Sequence, residues 1–565
     1  MKKIIDNFQL IFDSREKIQE LRNLILNLAV RGKLVPQNSD DEPSSVLIEK
    51  IKKEKERLIK EKKIRKKKPL PPIKEEEIPF ELPESWEWVR LGNIGRIVGG
   101  GTPKTKVHAY WENGNIAWLT PADLNGLKSK YISRGRRNIT KLGLQNSSAK
   151  LLPKGSVLFS SRAPIGYVAI AQNDLATNQG FKSCVPYIMD MNQYIYYFLM
   201  YDAKRINDNA SGTTFKEVSG KEVANFIFPL PPLNEQKRIV NKLDELMTFC
   251  DQLEVSLEKK ANAKQLVSKS ISNRIQKSKS KEELDKNITF IIRNLKEVYT
   301  TPENLNDLKD IILQLAIQGK LVPQDPDDEP ASVLIEKINK EKERLIKEKK
   351  IRKTKPLPPI KEAEIPFELP KGWEWVRLGE IMIINQRNKL NDNLEVSFVP
   401  MKLIEDGYLS KHSHKKKLWK EVKKGYTHFK ENDLVVAKIT PCFENRKSAI
   451  MKNLYSGYGA GTTELHVLTS YLKEIDMKFF LYIVKAKNFI NQGVSTFTGT
   501  AGQQRIRKDF IENFVIGLPP LNEQKQIVKK IDKLMALCNL LENQINKNRN
   551  NSELLMKSLQ RKLFE

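Results

Sequence analysis

Five stretches of this chain carry side chains of the kind that read the edges of DNA bases. The first, GGGTPKTKVHAYWENGNIAWLTPADL (99–124), supplies Thr102, Lys104, Thr105, Lys106 and Thr120. The second, SSRAPIGYVAIAQNDLATNQGFKS (160–183), supplies Ser161, Arg162, Asn178, Gln179 and Lys182, with Thr213 further on. Three more follow about 280 residues later: KITPCFENRKSAIM (438–451) with Lys438, Thr440, Asn445, Arg446 and Lys447, GAGTTELHVL (459–468) with Thr462 and Thr463, and GTAGQQRIRKDF (499–510) with Thr500. Arg and Lys donate to guanine, Asn and Gln pair with adenine, and Thr or Ser adapts to either. Polar loops occur in every globular domain, so the loops as units carry more weight than any one residue. Trp86, Trp88, Trp373 and Trp375 have the shape to stack on bases, but the same pair recurs in both halves, which favours packing.

Other chemistry finds little support. A P-loop is absent, since Gly220-Lys221 is followed by Glu222. No asparagine- or aspartate-Pro-Pro-aromatic motif of an amino-methyltransferase is present, so no cofactor is expected in this chain. His412 and His414 lie in a lysine-rich loop without Cys or acidic neighbours, a poor metal site. The four cysteines form no CxxC pair, which argues against a zinc ribbon or a disulfide framework and for a reducing, cytoplasmic setting.

The elements that must position these loops are visible as an internal repeat. Residues 45–83 match 332–370 at 36 of 39 positions, an offset of 287. PLPPLNEQKRIV (229–240) returns as GLPPLNEQKQIV (517–528), an offset of 288. Between these blocks lie two regions of nearly equal length and little common sequence, about 93–227 and 380–515. The pattern implies a pseudo-two-fold molecule: a helical region and linker (1–83), a recognition domain (84–230), a central helical region (231–370), a second recognition domain (371–517) and a C-terminal helix (518–565).

Within the frame, Ile239, Leu243, Leu246, Cys250, Leu253 and Leu257 are spaced by three and four, as are Ile527, Ile531, Leu534, Cys538, Leu541 and Ile545. That is a coiled-coil seam, and two such seams would most simply pack on each other, antiparallel. A second helix is expected from Ser45 to about Lys66, and from Ser332 to about Lys353. Proline keeps PLPPIKEEEIPFELP (69–83) and PLPPIKEAEIPFELP (356–370) out of helix, and WEWVRLG then opens each variable region as a strand. Because the second copy stops where the first runs on, the N-terminal segment should pack near the C-terminal helix. The fold class is α+β.

Composition agrees. Hydrophobic residues are 39% of the 565, enough for several cores, and the net charge of +29 calls for a polyanionic partner. Residues 49–68 and 336–355 supply +8 and +6 of that excess, either as solvated helix faces laced by ion pairs or as surfaces along phosphates. No apolar run reaches the ~18–20 residues of a membrane helix, and no signal peptide is evident.

The repeated GKLVPQ, EPSSVLIEKI or EPASVLIEKI, IPFELP, WEWVRLG and PPLNEQK resemble the frame of the specificity subunit (HsdS) of type I restriction-modification systems. YWENGNIAWLTPADL with TNQGFKS, and KITPCFENRKSA with GTTELHVL, look like two types of target-recognition domain. The resemblance implies that each domain reads one half of a split target in double-stranded DNA. It implies that the long helices set the gap and dock two modification (methyltransferase) subunits, and that motor-nuclease restriction subunits complete the complex. S-adenosylmethionine, ATP and Mg would then belong to those partners.

Overall fold

The computed structural model describes residues 11–162, 164–209, 217–277, 281–500 and 502–564. The chain divides into two compact units, Met1–Lys260 with Ser552–Glu565, and Ala261–Asn551.

In the first unit, helix α1 (Arg15–Val30) starts at Ser14, whose hydroxyl accepts from the Lys17 amide. It stops before Gly32, held at φ +68 where a Cβ would lie 2.5 Å from Pro83 Cγ. GKLVPQ needs glycine here both for the left-handed turn and for the close approach of the linker. Helix α2 (Ser44–Lys60) buries Leu47 and Ile51. It ends six residues before the expected Lys66, because the Lys62 and Lys63 amides fold back onto the Ile59 and Leu58 carbonyls with Lys62 at φ 55. Seven basic residues in 60–68, with only Glu61 to offset them, favour unwinding over continuation.

The linker that follows is extended but pinned. Arg90, almost fully buried, donates to the Pro71 and Pro72 carbonyls, to both Glu77 oxygens and to the Asn225 carbonyl. Five acceptors around one guanidinium explain why the proline linker and WEWVRLG recur together. The expected strand forms as Glu87–Arg90 and pairs antiparallel with Ile227–Leu230, Glu87 opposite Leu230, so the variable region leaves the frame and rejoins it at one place.

Within the first variable region a five-stranded sheet has the order Gly95–Gly99, Lys182–Pro186, Val157–Ser161, Ile165–Ala171, Tyr131–Ile132. A three-stranded sheet sets Ile116–Leu119 between Arg137–Ile139 and a parallel Ala176–Thr177. Helix Asn192–Asn209 covers the first sheet with Tyr194, Ile195, Phe198 and Leu199 in the core. Helix α3 (Leu233–Lys277) then leaves this unit and ends in the second.

The second unit repeats the frame as α4 (Lys281–Val298), α5 (Pro302–Ile317) and α6 (Ala331–Lys347), with Lys349 at φ 55 ending α6 as Lys62 ends α2. α6 likewise stops six residues before the expected Lys353. Arg377 repeats the Arg90 clasp on Pro358, Pro359, Glu364 and Asn513. Glu374–Arg377 pairs with Val515–Leu518 as its counterpart does. The second variable region has sheets ordered Met382–Ile384, Leu465–Ser470, Leu434–Ala437, Ser448–Ile450, and Lys415–Leu418, Glu395–Val399, Tyr458–Gly461, Thr427–Lys430, with Glu395–Val399 and Tyr458–Gly461 parallel. Strand for strand, four neighbours of the first sheet and the three-stranded core of the second recur in both regions. Two unlike sequences therefore build one topology.

The second long helix, α7 (Leu521–Phe564), begins in the second unit and ends in the first. Contacts along the two long helices run in opposite order: Leu253 of α3 lies with Met556 and Leu559 of α7, whereas Ile275 borders the same cavity as Leu534 and Cys538. That is the antiparallel sense. The partner of the seam is nevertheless different from the simplest expectation. Ile239, Leu243 and Cys250 are buried with Ile18, Ile25 and Leu26 of α1 and with the first variable region, so the first half of the seam serves its own unit. At the other end, Ile11 and Phe12 pack on Met556 and Leu559, and the Ser552 hydroxyl donates to the Ile11 carbonyl at 3.1 Å. The segment from Ile11 thus packs on the C-terminal helix, as the repeat implies.

One carboxylate ties the frame motifs together. Glu235, in the first turn of α3, accepts from Trp86 Nε1 at 2.9 Å and Gln37 Nε2 at 2.7 Å; Glu523 does the same for Trp373 and Gln324 at 2.8 and 3.0 Å. GKLVPQ, WEW and LNEQ thus meet at a single buried site, and burial pushes both carboxyls above their usual range. Trp88 and Trp375 lean on Phe80 and Phe367, 5.0 and 5.1 Å between ring centres, so all four tryptophans are structural.

Candidate nucleic-acid interface

In the first variable region the loop residues converge where strand Val157–Ser161 ends. Gly101 N donates to the Thr177 carbonyl at 2.8 Å, sewing the GGGT turn to the TNQG turn. Gly100 has to be glycine, since a Cβ there would stand 2.0 Å from the Asn178 carbonyl oxygen. Asn178 Oδ1 accepts from Gly180 N at 2.9 Å, which shapes the turn and leaves Gln179 exposed. Thr102 donates its hydroxyl to Gln179 Oε1 and so orients the amide. Lys182 Nζ reaches the Gln179 carbonyl at 3.1 Å and Glu217 at 3.4 Å, and Arg162 lies 3.9 Å from the same Glu217. One carboxylate therefore holds two cations beside an exposed amide.

Lys104, Thr105 and Lys106 are exposed on the neighbouring loop. Trp111 Nε1 donates to the Lys104 carbonyl, and Arg137 stacks on the Trp111 ring at 3.7 Å. Arg136 and Arg137 thus extend the basic edge. The sequence reading missed them, although RGRR (134–137) is a visible signal. Two candidates have their hydroxyls engaged within the protein. Ser161 is fully buried, its hydroxyl donating to the Gly180 carbonyl, and Thr120 spends its hydroxyl on Asp123 at 2.8 Å to cap a helical turn. Thr213 lies outside the described residues.

The second variable region places KITP at the equivalent point. Ile506 N donates to the Lys438 carbonyl at 2.9 Å, as Val218 N donates to the Ser161 carbonyl at 2.9 Å in the first. Thr440 N donates to the Gln504 carbonyl at 2.9 Å, bringing 438–440 and 504–506 side by side. Arg505 makes a two-pronged ion pair with Glu464 at 2.9 and 3.0 Å. Thr462 caps the turn before Glu464, while Thr463, Asn445 and Thr500 are exposed. Gln503, Arg505 and Arg507 belong to the same cluster and were missed as individuals, though their stretch was singled out.

Arg446 and Lys447 are part-buried and already partnered within the protein. Their cationic heads point inward: Arg446 donates to Asp310 at 2.9 Å and to the Lys485 carbonyl at 2.9 Å and lies 4.6 Å over the Tyr408 ring. Lys447 donates to the Ile404 carbonyl at 2.9 Å and pairs with Asp406. Both anchor the region through these contacts.

Behind the loop, His466 accepts at Nδ1 from Asn385 Nδ2 (3.1 Å) and donates from Nε2 to the Ile506 carbonyl (3.3 Å), an arrangement only the neutral ring satisfies. Burial pushes its pKa down to about 4. His412 and His414 stand with ring centres 5.8 Å apart, and no metal-ligating group of three or more exists among the described residues. All four cysteines are free; Cys250 and Cys538 are buried at matched positions, where burial pushes both thiols up to about 11.

Two like-folded regions of unlike sequence, each presenting Arg, Lys, Gln and Thr from sewn loops, thus stand on a duplicated frame. The family model for the type I restriction modification DNA specificity domain matches twice, over residues 83–263 and 370–548, and the chain belongs to that family. It is 50% identical over 241 residues to the type I restriction enzyme EcoAI specificity subunit of Escherichia coli, a stretch covering 42% of this chain and 41% of that one. It is 41% identical over 165 residues to the MjaIX specificity subunit of Methanocaldococcus jannaschii, 29% of this chain and 38% of that one. The matched stretches thus span about two fifths of these curated relatives. The HsdS subunit of Thermoanaerobacter tengcongensis, a solved structure, aligns with a TM-score of 0.38 at 17% identity over 86% of this chain and 98% of that one. No described helix is long and apolar enough to cross a membrane.

Proposed function

We propose that this chain is the DNA-specificity subunit of a type I restriction-modification complex and is itself non-catalytic. Each variable region reads one half of a bipartite duplex target, the first through Gln179, Arg162, Lys182 and the 102–106 loop, the second through Lys438, Thr440, Asn445, Thr462, Thr463, Thr500 and the 503–507 segment. The observation that carries this reading is the matched hydrogen bond, Ser161–Val218 and Lys438–Ile506, which sets two different loop chemistries at one place on one topology. Phosphate contacts would fix register while base-edge contacts give sequence. Two methyltransferase subunits dock on the long helices, where Leu266 and Leu554, at equivalent repeat positions, are 68% and 64% exposed. Motor-nuclease subunits join them in the cytoplasm, and S-adenosylmethionine, ATP and Mg bind those partners.

The test is a genome-wide map of methylated adenine in host cells with and without the gene. Loss of one split, two-part methylated motif on deletion supports the reading. An unchanged map, in cells that express the partner subunits, overturns it.

A further inference from the structure

The densest positive charge of the chain lies outside both variable regions. Residues 62–68 hold six basic groups and no acid, and 349–355 hold five and no acid. Several carboxylates of the preceding helices are already paired close by: Glu49 with Lys52, Glu54 with Arg57, and Glu61 just past the helix end with Arg57, a pattern repeated at Glu341, Arg344 and Glu348. Lys63 and Lys350 are held by the Glu61 and Glu348 that precede each tail, whereas Arg65, Lys66, Lys67 and Lys68, and likewise Arg352, Lys353 and Lys355, make no ion pair among the described residues. Every basic residue in both tails is exposed.

Their position is set by the second unit. Lys342, on α6, lies 5.9 Å over the Tyr471 ring, just past the end of strand Leu465–Ser470. Eight residues on, the Lys350 carbonyl is 3.5 Å from Gln386 Nε2, just past the end of strand Met382–Ile384. These strands are antiparallel, with Met382 opposite Ser470, so Tyr471 and Gln386 mark opposite ends of the sheet. Five residues of α6 remain past Lys342, a rise of about 7.5 Å, and the turn through Lys349 carries the chain the rest of the about 13 Å that four strand residues span. The Gln386 end is the end at which Leu465 pairs with Ala437, immediately before Lys438. The helix therefore delivers its basic tail beside the candidate reading loops. In the first unit Lys55, the repeat counterpart of Lys342, lies 5.7 Å over Tyr187, just past strand Lys182–Pro186. Each tail is also held at its far side, where Arg90 or Arg377 grips the following prolines. A basic arch fixed at both ends gives up less conformational freedom on binding than a loose one.

We propose that residues 62–68 and 349–355 are two phosphate clamps, one beside each variable region, that grip the duplex backbone irrespective of sequence. This rests on the DNA-reading function above and divides the labour: the frame supplies affinity, and the exchangeable regions supply discrimination.

The experiment uses the complex purified from host cells. Lys66→Gln, Lys67→Gln and Lys68→Gln are combined with Lys353→Gln and Lys355→Gln, and a Lys→Arg set at the same positions keeps the charge. Binding is measured from about 50 to 200 mM salt on duplexes carrying the mapped target, the target with one half scrambled, and an unrelated sequence. Neutralisation is expected to weaken all three by a similar factor, at least about tenfold at 0.1 M salt. It should also flatten the dependence of log K on log salt by about 0.9 for each phosphate no longer gripped. The ratio between target and unrelated duplex should stay constant, and the Arg set should bind as the unaltered complex does. If the unaltered complex discriminates the duplexes and the neutralised one keeps its affinity and slope, the clamp is wrong and the reading loops stand. If only the target duplex is weakened, the tails are readers and the clamp is equally wrong. If the unaltered complex does not discriminate at all, the DNA-reading function fails and the clamp falls with it.

Discussion

Asp310 shows how a single residue couples frame and variable region. It accepts from Arg446 and from the Tyr408 hydroxyl at 2.7 Å, and the first repeat has Asn23 at the equivalent position. Asp310→Asn should therefore leave Arg446 with its positive charge half-buried and poorly matched, at a cost of about 1–3 kcal/mol. Binding of the second half-site should weaken while the first is unchanged, as read by competition with duplexes scrambled in one half; equal loss on both halves would contradict this anchoring role. His466 makes a pH prediction. Its folded pKa of about 4 lies below the ordinary 6.5, so between these values the unfolded chain binds the proton more readily. The stability that the neutral ring contributes is complete above pH 6.5 and is lost as pH falls toward 4, by up to about 3 kcal/mol. Thermal melts of the wild type and His466→Gln across that range should converge at low pH. At this scale the sequence was least informative. Composition located the loops, but not that Arg446, Lys447 and Ser161 bond to groups of the protein while Gln503 and Arg505 flank the candidate loop at 438–440. Side-chain direction in a loop depends on partners more than 30 residues away, such as Lys485 and Glu464.

Among elements, the clasp at Glu235 and Glu523 explains the strongest sequence signal. Glu235→Ala would strand the buried Trp86 N–H and Gln37 together and should lower stability by about 1–3 kcal/mol, measured by denaturant unfolding. Glu235→Gln, which keeps an acceptor, should lose less. The long helices offer a second prediction: Leu266→Glu with Leu554→Glu should reduce co-purification of methyltransferase subunits and leave the melting temperature nearly unchanged, since both side chains are largely exposed. Helices, linkers and first strands were legible because the repeat displays them twice. The seam's partner was not: a spacing of three and four states that a face is apolar, not which helix covers it. The early end of α2 was likewise hidden, because lysine is a good helix former until many stand together.

For the whole molecule, the shared strand order of the two variable regions was not visible in sequences with little in common. Alternating apolar positions specify a sheet without specifying which strands are neighbours. The two-part organisation leads to a direct test. Replacing 93–227 with the corresponding region of a relative should change one half of the methylated motif and leave the other half intact, as read from a methylation map; a change in both halves would show that the regions do not read independently.

The strand pairs Glu87–Arg90 with Ile227–Leu230 and Glu374–Arg377 with Val515–Leu518 set the two ends of each variable region side by side. Their consequence is genetic. A segment whose ends are neighbours in space and whose borders are written in a nearly invariant repeat can be replaced by one crossover on each flank, with every buried bond of the frame remade by the incoming copy. Where the near-identity of 45–83 and 332–370 extends to the coding sequence, recombination between the two copies would leave a shorter chain with one variable region. On the function proposed above, exchange of one such cassette would change the target in a half-site step.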